Sequence, residues 1–463
     1  MSDSSKPLFS RPVLAAIMLF ATLAIWLLNL TASSTLPTPT IETWTTTSGI
    51  PVVWLKQAQW QGSDKLEVRF AFRSANRNYD HNKGNDHNKG NDHSKVNDNN
   101  SELAQATLAM LMSDSLPLST ASINQRLAPL AARVSSYYDH ERQVIGVTLS
   151  NEPSYLEPTL SLITHWLKAP DFKPRSFDSW QRQQKSAPPI RHELEQILFL
   201  DTTKRQNAAN TQRVSLEQIS DYYQGLKTSA AGIFIAGDLS TEAKQRIQNA
   251  MNTISQDYQR ANAGSADRIR DAALSTTIQQ NEGDLWQTRS AIALQPITSV
   301  TEWASLQIWG TDLVTNLNQQ PHIDFVELNL TLSPQHPWAG WNIQYGDNTA
   351  TTLTNDRTDN DHSLGFRNAK SFVFVEQVPS VNDATIFQTQ LDNLKQKLEQ
   401  QVLSPTWWSN IAAQVTNENG PLTLEAFANS YQQAIDDLTL EDYQSALKKL
   451  LKSSSYQEIQ VYQ

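Results

Sequence analysis

Five segments of this chain recur in the same order, roughly 200–230 positions apart, and no other feature of the sequence limits its fold as much. Leu66-Glu67-Val68-Arg69-Phe70-Ala71-Phe72 alternates faces as a strand does, and Thr288-Arg289-Ser290-Ala291-Ile292-Ala293-Leu294 is its counterpart. Helical periodicity follows each of them, from Glu102 and from Glu302. Val144–Leu149 and Phe372–Val378 read as a second pair of strands. Tyr155–Leu167 and Thr389–Val402 read as a pair of helices, followed by Pro170 and Pro405. In the last echo, Val214-Ser215-Leu216-Glu217-Gln218-Ile219 opens a helix that leads into a strand at Gly232–Gly237. Leu438-Thr439-Leu440-Glu441-Asp442-Tyr443 opens another that leads into Ile459–Tyr462. Ser215 and Thr439 stand where a hydroxyl oxygen satisfies the first free amides of a helix. A repeated order of this kind implies two α/β domains of about 200 residues each. We place them at 41–260 and 285–463, joined by a polar linker at 261–284 with Gly264 and Gly283 near its ends.

Composition removes most other chemistry. The chain has no Cys, so disulfides, Cys-ligated zinc, iron–sulfur clusters and thiol catalysis are excluded together. A net charge of −10 argues against a nucleic-acid partner, because phosphate affinity comes from clustered Lys and Arg. Only 15 Gly are present in 463 residues, and neither phosphate-binding glycine motif occurs. The nucleophile motif G-x-S-x-G is also missing.

Val13–Leu30 carries no charge, and as a helix it would span about 27 Å, close to a bilayer's hydrocarbon core. A cleaved signal peptide is the alternative, but its apolar region is shorter and its cleavage site is better formed than Leu30-Thr31-Ala32. We therefore expect an uncleaved anchor at 12–32. Lys6 and Arg11 precede the run and Glu42 is the next charge after it. That asymmetry holds residues 1–11 in the cytoplasm and sends the body outward, to the periplasm in a Gram-negative cell.

The order strand–strand, helix, strand, helix, ending in VSLEQISDYYQGLKTSAAGIFIAGDLS (214–240), resembles the pitrilysin/insulinase family of zinc metallopeptidases. TWTTTSGIPVVWLKQAQ (43–59) is similar to the family's first hairpin, and LEVRFAFRSANR (66–77) to the strand after it. HWLKAPDFKPRSFDSW (165–180) is similar to its helix, Pro-Phe corner and next helix. The resemblance covers residues 43–463. It implies two homologous domains, each a mostly antiparallel sheet packed with helices, forming a clamshell around an extended peptide.

Active members of that family carry H-x-x-E-H on the first helix of the first domain. Two His four apart reach one zinc ion, and the Glu serves as general base on the metal-bound water. Here those positions fall on Gln105, Leu108 and Ala109, none of them a zinc ligand or proton acceptor. The distal Glu ligand should fall at about 183–193, where no acid occurs before Glu193. The nine His stand at 81, 87, 93, 140, 165, 192, 322, 336 and 362, and no two are four apart. H-x-x-E-H therefore cannot be written anywhere in the chain, and we expect no catalytic residue, metal or cofactor. By the resemblance, zinc-less members pair with an active metallopeptidase of the same fold and help to bind peptide, or act as scaffolds in membrane complexes. An active enzyme with a rearranged site is the remaining alternative.

Other polar groups read as ordinary surface. His81, His87 and His93 lie in a hexapeptide repeat (HNKGND-HNKGND-HSKVND), expected to be a disordered insert at 78–100 rather than a metal trap. His140 at a strand start, His192-Glu193-Leu194-Glu195 on a polar helix, and Asn355–His362 in a loop read as solvated groups. Trp303, Trp309, Trp338, Trp341, Trp407 and Trp408 crowd the second half; core packing is the simplest account, and lining of a peptide-binding interior or partner face the alternative. Trp338 and Trp341 follow Pro337 in a loop-like stretch and look harder to bury.

Overall fold

In the computed structural model each half of the chain builds a six-stranded sheet. The structure describes residues 36–74, 100–184, 194–195, 198–199, 214–261, 269, 274–279, 285–346, 366–368, 381–415 and 422–462. The apolar run 13–30, the His insert, the strand expected at 372–378 and the loop 355–362 lie outside these. No helix among the described residues is long and apolar enough to cross a membrane.

The first sheet holds β1 (Thr40–Thr45), β2 (Pro51–Lys56), β3 (Lys65–Arg73), β4 (Arg133–Tyr138), β5 (Arg142–Ser150) and β6 (Ala230–Ala236), in the order β1-β2-β6-β3-β5-β4. The second holds β7 (Leu274–Gln279), β8 (Leu285–Ala293), β9 (Ile323–Thr331), β10 (Trp338–Tyr345), β11 (Phe366–Asn368) and β12 (Gln457–Tyr462), in the order β11-β7-β12-β8-β10-β9. Without the outermost β1 and β11, the two orders superpose strand for strand. The single parallel pair falls in the same place in both, β2 with β6 and β7 with β12.

This symmetry corrects three expectations. Residues 274–279 are not linker: LSTTIQ forms β7, the equivalent of β2, and its run of small hydroxyls hid the strand. The sheet position of β5 is filled in the second half by β10, a strand the sequence did not signal there. Trp338 and Trp341 are therefore strand residues, 5% and 2% exposed, with the small residues Ala339 and Gly340 between them.

Eleven α-helices occur among the described residues: α1 (Asn100–Met112), α2 (Ile123–Leu127), α3 (Pro153–Lys168), α4 (Pro174–Gln184), α5 (Leu216–Lys227) and α6 (Thr241–Ile254) in the first half; α7 (Val300–Asn318), α8 (Ala384–Gln401), α9 (Pro405–Val415), α10 (Leu424–Asp436) and α11 (Leu440–Leu450) in the second. The caps read from sequence form as full capping boxes. The Gln218 N–H donates to Ser215 Oγ at 3.3 Å and the Asp442 N–H to Thr439 Oγ1 at 3.1 Å.

Alternation along β3 sends Leu66, Val68, Phe70 and Phe72 into one core with Leu108 and Leu111 of α1, Ile163 of α3 and Met251 of α6. Each such side chain contributes about 1.5–3 kcal/mol on burial. The second core is aromatic. Trp309 of α7 meets Trp341 edge-on at 6.3 Å, and Trp408 packs among Phe427 and Tyr431.

The opposite face of β3 looks solvent-exposed in sequence but is covered by the other half. Helix α9 lies on β3 and β6. Arg69 Nε donates to Ser409 Oγ at 2.9 Å, Thr406 Oγ1 donates to Glu67 Oε1 at 2.9 Å, and Trp60 Nε1 donates to the Leu403 carbonyl at 2.7 Å. Gly146 on β5 leaves the space in which the Arg69 guanidinium lies, since a Cβ there would come within 2.7 Å of Arg69 Nη1. In return, Leu194, Leu198 and Phe199 of the first half pack on Ala291, Ala293, Trp338, Ile459 and Val461 of the second sheet. Thr38–Gln463 form one compact unit, in which the two sheets share these contacts.

Candidate functional site

Helix α1 presents Gln105, Leu108 and Ala109, the residues expected to stand at the motif positions, on two of its faces. Leu108 is 4% exposed and sits in the core between α1 and the first sheet. Ala109 is half-buried beside Trp180, Val214 and Ile219, and Gln105 is half-buried one turn before it. The rest of the helix is tied up locally. Thr107 Oγ1 donates to the Leu103 carbonyl at 2.7 Å, and Trp166 Nε1 to the Leu111 carbonyl at 3.1 Å and Ser115 Oγ at 2.8 Å. This donor set does not fit zinc, which takes imidazole, thiolate or carboxylate ligands in a tetrahedron. Of the three side chains only the Gln105 amide has a lone pair to offer. No group of three His, Asp or Glu arranged to hold a metal occurs among the described residues. Residues 185–193, where a distal acid would stand, lie outside them.

The structure brings together instead a polar cluster that sequence reading took for surface. The β4–β5 turn, Asp139-His140-Glu141, meets the β9–β10 turn, which is its equivalent in the second sheet. Glu141 Oε2 accepts the N–H groups of Gln335 and His336 at 2.9 and 3.1 Å, and His336 Nδ1 stands 3.6 Å from the same oxygen. The His140 and His336 rings pack edge to face at 5.4 Å, and both lie against Phe199. His140 is 7% exposed and does not begin a strand. Glu195 is buried as well and accepts the His140 N–H. The Arg142 guanidinium donates to Asp139 Oδ2 at 3.1 Å and to the Ala413 carbonyl at the end of α9.

Electrostatics differ sharply among these acids. Burial pushes Glu141 up, but His336, the Arg142 charge and the Gln335 N–H outweigh it and hold its carboxyl below the usual range. Burial and the nearby negative Asp139 push Glu195 up to about 7. Burial opposes the charge on Arg142, yet Asp139, Tyr137 and Glu141 together raise its pKa. The only signal in the sequence was the density of the run Asp139-His140-Glu141-Arg142. Four consecutive ionisable residues at the entry to the buried strand β5 must be either fully solvated or fully paired.

No family model and no curated protein matches the sequence. Solved structures do match. A protease from Helicobacter pylori aligns over 92% of this chain and 100% of its own, at 11% identity and a TM-score of 0.62. The peptidase M16 inactive domain from Pseudomonas fluorescens aligns over 91% and 97%, at 16% identity and 0.57. The periplasmic protease PqqL from Escherichia coli aligns over 93% of this chain but 47% of its own, at 14% identity and 0.58. The fold is pitrilysin-like, that of the M16 peptidases.

Proposed function

We propose that this chain is a non-catalytic, pitrilysin-like subunit, anchored in the inner membrane by residues 12–32 with its body in the periplasm. It helps to bind extended peptides and pairs with an active zinc metallopeptidase of the same fold. The observation that carries the reading is the composition of α1, where Gln105, Leu108 and Ala109 occupy the positions of two metal ligands and a general base. Buried Leu108 is the most telling, since a hydrocarbon in the core can neither activate water nor be replaced by a nearby acid. The covering of each sheet by the other half argues in the same direction. With α9 laid on the first sheet and Leu194, Leu198 and Phe199 on the second, the described parts of the two halves pack directly on one another, and enclosing a peptide calls for another chain.

The test is affinity purification of the solubilised full-length chain from its source cells, with metal analysis of what is recovered. Co-purification of an H-x-x-E-H protein, with zinc stoichiometric to that partner alone, is the expected result. A chain that is monomeric under all conditions, or that carries its own zinc and cleaves unfolded peptides, refutes it.

A further inference from the structure

Four buried side chains of the first half, Leu194, Glu195, Leu198 and Phe199, stand where the two halves meet. The three apolar ones pack on Ala291, Ala293, Trp338, Ile459 and Val461 of the second sheet. Leu194 also walls a cavity of about 240 Å³, together with Trp338 and Gly340. Phe199 stacks on the His140 ring at 5.1 Å and meets the His336 ring edge-on at 5.3 Å. The acid of the set, Glu195, is 5% exposed and accepts the His140 N–H. Charges nearby are engaged with one another. Arg142 holds Asp139 and the Ala413 carbonyl, and Glu141 holds His336 and two backbone N–H groups. Tyr137 of β4 stands near the Glu195 carboxyl as well. His140 and Trp338 favour the charged form of Glu195, but burial and the negative Asp139 outweigh them. A protonated Glu195 fits this place, and an ionised one is a buried charge without a full answer.

We propose that Leu194, Glu195, Leu198 and Phe199 form a proton-controlled latch, docked on the second sheet while the Glu195 carboxyl is protonated and released as it ionises. Release moves the carboxylate into water and leaves the bonds of α9 to the first sheet in place, so the fold persists. It bares the apolar patch of the second sheet and takes away the Leu194 wall of the cavity. The carboxyl titrates at 4.5 in water and at about 7 when docked. Its support for docking is thus complete below pH 4.5 and is lost as pH rises through 7. The ratio of released to docked chain climbs about 70-fold between pH 5 and pH 8, toward a limit of about 300-fold. The latch does not depend on the function proposed above.

Hydrogen exchange followed by mass spectrometry on the solubilised full-length chain tests it at pH 5, 6, 7 and 8, with each rate divided by that of an unstructured peptide at the same pH. In the parent, release measured on peptides covering 194–199 rises about 70-fold over this range. In Glu195→Gln, which keeps an acceptor for the His140 N–H but cannot ionise, it stays flat. These peptides exchange faster than those of β3 at every pH, which separates the latch from unfolding of the whole fold. Phe199→Ala, which removes the ring stacked on His140, raises release at least tenfold at every pH and keeps the rise with pH. The inference is overturned if 194–199 and β3 exchange together, or if the parent and Glu195→Gln respond equally to pH.

Discussion

Replacing Glu195 by Gln should remove most of the pH dependence of stability between pH 4.5 and 7. The carboxyl titrates at 4.5 in the unfolded chain and at about 7 in the fold, where burial and Asp139 favour the neutral form. The folded state therefore holds the proton more tightly. Its contribution is complete below pH 4.5 and is lost as pH rises through 7. A difference of about 2.5 units at 1.36 kcal/mol each comes to about 3 kcal/mol, and with the residue 5% exposed little of it is screened by solvent. Gln keeps the oxygen that accepts the His140 N–H but cannot ionise. The variant should then match the parent near pH 4.5 and exceed it by up to about 3 kcal/mol at pH 8. Urea midpoints followed by Trp fluorescence and circular dichroism across pH 4.5–8 measure the difference, and the other titrating groups cancel between the two proteins. Glu141, whose carboxyl is held low, acts only on the acid side, where its stabilisation is lost as pH falls below the usual carboxylate range. Equal slopes for parent and variant through pH 4.5–7 would refute the reasoning.

Three further outcomes follow from the same structure. Arg142→Ala strands the buried Asp139 carboxylate and the Ala413 carbonyl and should cost about 3 kcal/mol; Asp139→Asn in the same chain should recover part of it in a double-mutant cycle. Leu108→Glu puts a carboxyl into the first core, so urea denaturation should show a loss of about 3 kcal/mol or more, with no gain of bound zinc by metal analysis. Gly237→Ala meets the Lys65 carbonyl at 2.7 Å and a backbone φ of +138°, and thermal unfolding should show a loss of about 2 kcal/mol.

Much of this fold is written in periodicity. The alternation of Leu66–Phe72, the capping residues Ser215 and Thr439, and the amphipathic helices after each strand are local signals, and they set the repeated order. What was illegible depends on neighbours far away in sequence. β7 is polar because it flanks β12 near an edge, so its pattern matches that of a linker. Trp338 and Trp341 look exposed after Pro337 until a strand on each side gives them a sheet to stand on. His140 and Glu195 read as surface groups because no local pattern tells a solvated side chain from one buried by a partner far away in sequence, 55 residues for this pair. Gln105, Leu108 and Ala109 are the reverse case, since residue identity alone states their chemistry and the structure adds only where the side chains lie.

The side of β3 that carries Glu67 and Arg69 has a consequence for how the molecule can work. A strand reading L-E-V-R-F-A-F-R sets apolar groups on one face and charges on the other, and the ordinary inference is a solvated face. Here that face receives α9, and the charges are answered by Thr406 and Ser409 rather than by water. Opening the two halves like a shell would strip these bonds, expose the Leu194–Phe199 patch and separate Arg142 from the Ala413 carbonyl at the same time. The polar losses are of the buried, charge-assisted kind, for which breaking one partner costs more than the contact itself supplies, and the apolar patch adds its own cost of exposure. Opening the described halves away from one another is therefore costly, and these contacts hold them together.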